Sequence, residues 1–184
     1  VILGINGAQG SGKSTLASLL ESAVPRLTGL SIIVLSIDDF YLPRDKRREL
    51  ADSVHPLLMT RGVPGSHDLN LLDSTLRDLL EGVGTTRVPR FDKATDDRVP
   101  DDRWSSVPCP VDIVVWEGWC LGIEPQEDAL LEPPVNDLEK HKDRDGSWRR
   151  YVNDALKSYQ YLFERVDLWA MLAAPGFNCV FKWR

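Results

Sequence analysis

The residues "GAQGSGKS", Gly7 to Ser14, fit the spacing GxxxxGK[ST], follow the apolar run "VILGI" and open a helical pattern. Gly7, Gly10 and Gly12, with Ala8, Gln9, Ser11 and Thr15 completing the turn, let successive backbone N–H groups converge on phosphate oxygens at a helix N-terminus. In such a loop Lys13 reaches the β and γ phosphates of a nucleotide and Ser14 offers its hydroxyl to Mg²⁺. The bland alternative is a glycine-rich turn capped by Ser11 or Ser14; strand, lysine and helix together favour the phosphate site. Two further apolar runs end in acid. "SIDDFY" sets Asp38 and Asp39 beside Phe40 and Tyr41, and "VDIVVWEGW" ends in Glu117. Asp38 can take the proton of an attacking hydroxyl or hold a magnesium-bound water, and Glu117 can bind the metal directly or through water. Asp38 or Asp39 as a helix cap, and Glu117 satisfied by turn amides, stay open beside those roles.

Chemistry at these points needs elements that bring them together. "VILGI", "LSIIVLSI", "VDIVVW" and "VDLWAMLA" have the length and branching of strands buried on both faces. Helical patterns lie between them, at Leu16, Leu19, Leu20 and Ala23, at Leu69, Leu72, Leu76, Leu79 and Leu80, and at Trp148, Tyr151, Val152, Ala155, Tyr159, Leu162 and Phe163. The alternation predicts an α/β layered fold with right-handed crossovers and ligands gathered at the carboxyl ends of the strands. With 184 residues and 42% hydrophobic content, one domain over residues 1–184 is expected. Residues 84–110 and 122–147, rich in Pro and charge, read as long irregular loops.

A net charge of -6 and a pI near 5.1 argue against a general nucleic-acid or membrane-surface binder, while a local basic site stays open. Cys109, Cys120 and Cys179 form neither a CxxC pair nor an even set, so a reducing, cytoplasmic compartment is expected. Both ends of the sequence read as cut: Val1 enters a strand pattern directly and the last residues are "FKWR", so a leader stays open. Trp116, Trp119 and Trp148 are expected in the core or a pocket wall, Cys120 in packing, and His55 and His141 at the surface. Oligomeric state has no signal in the sequence.

The glycine loop, "DDFY" and "EGW", in that order, resemble the P-loop kinases of small hydroxyl compounds: uridine kinase, phosphoribulokinase and pantothenate kinase. With "SIDDFYLP", "TRGVPGSHDL", "PRFDKATDDR", "EGWCLG", "VNDLE" and the closing "WR", the sequence is most similar to the ATP-dependent D-glycerate 3-kinases. That resemblance implies a three-layer P-loop NTPase fold with a mainly parallel central sheet flanked by helices. It implies ATP and Mg²⁺ as cofactors, with Lys13 and Asp38 catalytic and Ser14, Asp38 and Glu117 at the metal. D-glycerate would be the acceptor and 3-phosphoglycerate the product. Where nucleoside kinases carry YDFxxHxR, this sequence has Phe91, Asp92, Lys93, Asp96 and Arg98; the base-holding Tyr and His are missing. Lys93 and Arg90 offer charge that suits a small acid, or else pair with nearby aspartates. Asp68 ends a PxxxD stretch starting at Pro64 and would bond substrate hydroxyls; Asp39, Tyr41, Arg61, His67, Arg90, Asp92 and Arg98 complete the expected acceptor side. A pantothenate, sugar-acid or nucleoside acceptor, or a non-catalytic ATP-dependent switch, are the alternatives. The lid such kinases close is expected to be incomplete after Arg184.

Overall fold

The computed structural model describes residues 1–176 and 178–180. The elements run β1 (Ile2–Gly7), α1 (Lys13–Thr28), β2 (Ile32–Ser36), α2 (Arg44–Ser53), α3 (Leu69–Glu81), β3 (Gly84–Val88), β4 (Phe91–Asp92) and β5 (Asp97–Arg98). They continue through β6 (Ser105–Cys109), β7 (Ile113–Gly118), α4 (Asp137–Lys142), α5 (Ser147–Ala155), α6 (Gln160–Phe163) and β8 (Leu168–Leu172). The four apolar runs become β1, β2, β7 and β8, which form one parallel sheet in the order β2-β7-β1-β8.

Burial on both faces explains why these runs are apolar throughout. Ile33, Leu35, Val114 and Trp116 pack to one side, against Leu72, Leu76 and Leu79 of α3 and Leu162 and Phe163 of α6. Ile5 and Val115 pack to the other, against Ala17, Leu16 and Leu20 of α1. The result is three layers, helix on sheet on helix. Leu19 departs from the expected buried face at 62% exposed, because α1 meets the sheet through Leu16, Ala17 and Leu20.

Residues 84–110 are not the irregular loop expected. β3 and β6 pair antiparallel from Gly84↔Cys109 to Val88↔Ser105, and β4 and β5 pair within them. Short, mostly exposed strands such as "GTTRV" and "SSVPC" carry too little apolar alternation to announce themselves. The segment 122–147 remains largely irregular, with α4 and one 3-10 turn, Asp128–Leu131. Buried Arg149 ties it down, donating to the Asp143 carbonyl at 2.7 Å and the Glu132 carbonyl at 2.9 Å. His55 is not a surface residue: its side chain is 12% exposed and its Nε2 lies 3.9 Å from Asp143 Oδ1. The "WR" pair, Trp183 and Arg184, lies outside the described residues.

Candidate active site

The carboxyl ends of the parallel strands carry the phosphate loop and both acids. Gly12 is the N-cap of α1 at φ 95°, a left-handed conformation that glycine adopts without strain, and the turn closes through Ser11 N–H donating to the Ala8 carbonyl at 3.1 Å. Lys13 is 9% exposed and its ammonium donates to the Ala8 carbonyl at 3.0 Å. Burial pulls its pKa below the ordinary value, while Glu117 and Asp38 act against that. The sheet register sets Glu117 between Ile5 and Ser36, and from α1 the Ser14 hydroxyl donates to Glu117 Oε1 at 3.3 Å. Gly118 follows because a Cβ there would sit 2.6 Å from Ile37 Cγ2.

After β2 the backbone makes a single 3-10 turn, Ile37–Phe40, whose N-cap Ser36 accepts from Asp38 N–H. Asp38 receives the Tyr41 hydroxyl on Oδ1 at 2.9 Å and the Lys93 ammonium on Oδ2 at 2.6 Å. Burial opposes its charge, but those two donors outweigh it and hold its carboxyl below the usual range. Gln9, Gly10, Lys13, Ser14, Ser36, Asp38, Lys93, Glu117, Gly118 and Trp119 line one cleft of about 280 Å³.

Asp39 faces away from that pair. It accepts from Arg90 Nη1 at 2.8 Å and from Phe91 N–H at 3.1 Å, which anchors β4 to the 3-10 turn. Burial raises its pKa against the pull of those partners. Tyr41 stacks on His67 with ring centroids 4.6 Å apart and meets Phe91 edge-on at 5.3 Å. The Tyr159 hydroxyl accepts from Gly65 N–H at 2.9 Å and lies 2.8 Å from His67 Nδ1. When the phenol turns its own proton to Nδ1, the imidazole proton sits on Nε2, which is buried and has no hydrogen-bond partner among the described residues. Burial drives the His67 pKa down to about 3, so the ring is neutral near pH 7.

Asp68 does two jobs: Oδ1 caps α3 by accepting from Leu71 N–H at 3.1 Å, and Oδ2 accepts from Arg98 Nη2 at 3.1 Å. Arg98 also donates to the Tyr41 carbonyl at 3.0 Å. Arg61 pairs with Asp96 and lies over the Phe91 ring. Asp92 stays in its own turn, accepting from Ala94 N–H and the Thr95 hydroxyl.

The structure thus brings Lys13, Ser14, Asp38 and Glu117 to one cleft. It sets Tyr41, His67, Asp68, Arg61 and Arg98 on an adjoining wall, and places Asp39, Arg90 and Asp92 in the scaffold of that wall. Arg47, fully buried, was missed: it donates to the carbonyls of Leu42 at 3.2 Å, Met59 at 2.8 Å and Asp96 at 2.6 Å, and pairs with Asp96 Oδ2 at 3.0 Å. Within the charged string "RDKRREL" no pattern singles it out.

A glycine loop of phosphate-cradling form after the first strand, with two acids on neighbouring strand ends and a polar wall adjoining them, is the arrangement of a P-loop kinase, a phosphotransferase with an alcohol group as acceptor. The chain belongs to the Phosphoribulokinase / Uridine kinase family, whose profile matches residues 2–125. Over its full length it is 35% identical, across 191 aligned residues, to an uncharacterized kinase of Schizosaccharomyces pombe, 68% of which it spans. It is 30% identical over 195 residues to the chloroplastic D-glycerate 3-kinase of Arabidopsis thaliana, spanning 40% of that protein. Among solved structures it matches a D-glycerate 3-kinase from Cryptococcus neoformans var. grubii with a TM-score of 0.77 at 26% identity, covering 100% of this chain and 67% of that one. No helix among the described residues is long and apolar enough to cross a membrane.

Proposed function

We propose that this protein transfers the γ-phosphoryl group of ATP to a hydroxyl of D-glycerate, giving 3-phosphoglycerate. The observation that carries the reading is the single cleft shared by Lys13, Ser14, Asp38 and Glu117, with a hydrogen-bonding wall beside Asp38. The D-glycerate 3-kinases among the relatives support the choice of acceptor.

Lys13 neutralises charge on the β and γ phosphates, and the loop N–H groups cradle them. The Ser14 hydroxyl and the Glu117 carboxylate, already in hydrogen-bond contact, with Asp38 behind them to hold a metal-bound water, are an all-oxygen set that fits Mg²⁺. Bound there, the ion would supply charge neutralisation on the bridging phosphate oxygens. Asp38 orients the acceptor hydroxyl. That oxygen bonds to the γ phosphorus while the bond from phosphorus to the β–γ bridging oxygen breaks; ADP leaves with the electron pair and the hydroxyl proton passes to Asp38. A carboxylate with a lowered pKa is a weak base, and a loose transition state asks little of the base until late. Asp68 offers an acceptor to the acceptor hydroxyls, His67 a donor when its proton sits on Nε2, and Arg61 and Arg98 add positive charge further along the wall, beside Asp96 and Asp68. The unpaired cysteines and acidic surface accord with a cytoplasmic protein acting on a small molecule.

The test is to incubate the natural protein with Mg-ATP and D-glycerate and identify the product by phosphorus NMR. The reading expects 3-phosphoglycerate; the 2-phosphate, or phosphorylation of pantothenate or a nucleoside in preference, overturns the acceptor assignment.

A further inference from the structure

Asp38 has both oxygens engaged, and its two partners differ in kind. Tyr41 is 4% exposed and clamped between His67 and Phe91, so the donor on Oδ1 is fixed. Lys93 has a side chain 60% exposed, on the turn between β4 and β5, so the donor on Oδ2 rides a free stem. An acceptor hydroxyl that must reach Asp38 competes for an oxygen already held, and Lys93 is the partner able to leave. An exposed ammonium leaves for water at little cost, and an anion beside the cleft keeps it from returning to the carboxylate. Arg90, Arg61 and Arg98, the other cations of this wall, each already pair with an aspartate, Asp39, Asp96 and Asp68, away from Asp38. Lys93 alone among these four lines the phosphate cleft.

We propose that Lys93 is the specificity-determining residue for an acidic acceptor: the acceptor's own carboxylate draws the ammonium off Asp38 Oδ2 and so opens that oxygen for the acceptor's hydroxyl. An alcohol without a carboxylate has nothing to draw the ammonium away and must compete with it for that oxygen. Acid recognition and release of the hydroxyl-binding oxygen are then one ion-pair exchange. The inference rests on the acid-acceptor reading above and adds the residue that enforces it.

The test compares D-glycerate with glycerol, which keeps the hydroxyls and lacks the carboxylate, in the natural protein and in Lys93→Met and Lys93→Arg. The natural protein strongly prefers D-glycerate. In Lys93→Met kcat/KM for D-glycerate falls and the D-glycerate to glycerol ratio collapses by on the order of 10- to 100-fold, the worth of a lost charged hydrogen bond. The KM for ATP stays unchanged, and Lys93→Arg recovers part of the ratio. Equal loss with both acceptors, or a raised KM for ATP, would assign Lys93 to the transferring phosphoryl group and overturn the inference. If the natural protein ignores D-glycerate and uses another acid, the acceptor assignment fails separately, and the same comparison is made with that acid and its neutral alcohol. Preference for a neutral acceptor in the natural protein overturns both.

Discussion

Tyr41 and Lys93 hold Asp38 from two sides, which fixes where its carboxylate sits in the cleft. Asp38→Asn keeps the shape and removes the acceptor of the proton. Steady-state ADP release is expected to fall by about 10²- to 10⁴-fold, with nucleotide affinity, read by equilibrium binding without Mg²⁺, far less affected. His67 gives a stability prediction of definite sign. Its ring is neutral in the fold, with a pKa lowered from 6.5 to about 3 by burial, so the unfolded state binds the extra proton. Stability is complete above pH 6.5 and is lost progressively as pH falls toward 3, by up to about 1.4 kcal/mol per pH unit from this group. Thermal melts of His67→Gln between pH 7 and pH 5 are expected to show a shallower decline than the natural protein. The motif residues from Gly7 to Ser14, and Asp38 and Glu117 at strand ends, were readable because type, spacing and context agree. Which oxygen of Asp38 each partner takes, and that Asp39 serves Arg90 and Phe91 instead, depends on where the side groups point after a 3-10 turn, which spacing does not encode.

Between elements, the wall beside Asp38 is joined by charge, while the side that carries the glycine loop is joined by packing. Arg47 links α2 to the backbone near Met59 and to the β4–β5 turn, through three carbonyls and Asp96. Arg47→Met keeps the stem and strands those acceptors in a buried site, so urea denaturation is expected to show a loss of about 3–5 kcal/mol. Its KM for the acceptor is expected to rise more than its KM for ATP, because only the acceptor wall loosens. The four sheet strands were legible from two-sided burial, and α3 from its stripe of leucines, which includes buried Leu72, Leu76 and Leu79. α2 was not, since a helix of charged residues anchored by one buried arginine has no apolar stripe. β3 and β6 escaped for the matching reason: exposed strands owe their place to pairing with each other.

The whole molecule joins a deeply buried parallel sheet to small, more exposed strand pairs. β1 and β7 are buried on both faces at the sheet centre, whereas β3 to β6 form two separate small pairs outside it. Amide hydrogen exchange is expected to be slowest in β1 and β7 and faster across β3 to β6, because the latter bury little apolar surface. The layer order was legible because strands and helices alternate; the wall beside Asp38 was only partly so, because it assembles from three stretches far apart in the sequence. The most direct measurement is coupled ADP release from the natural protein with Mg-ATP, with and without D-glycerate, beside Asp38→Asn. The account predicts release that depends on D-glycerate in the natural protein and is lost in Asp38→Asn. Release indifferent to D-glycerate, or undiminished in Asp38→Asn, would contradict it.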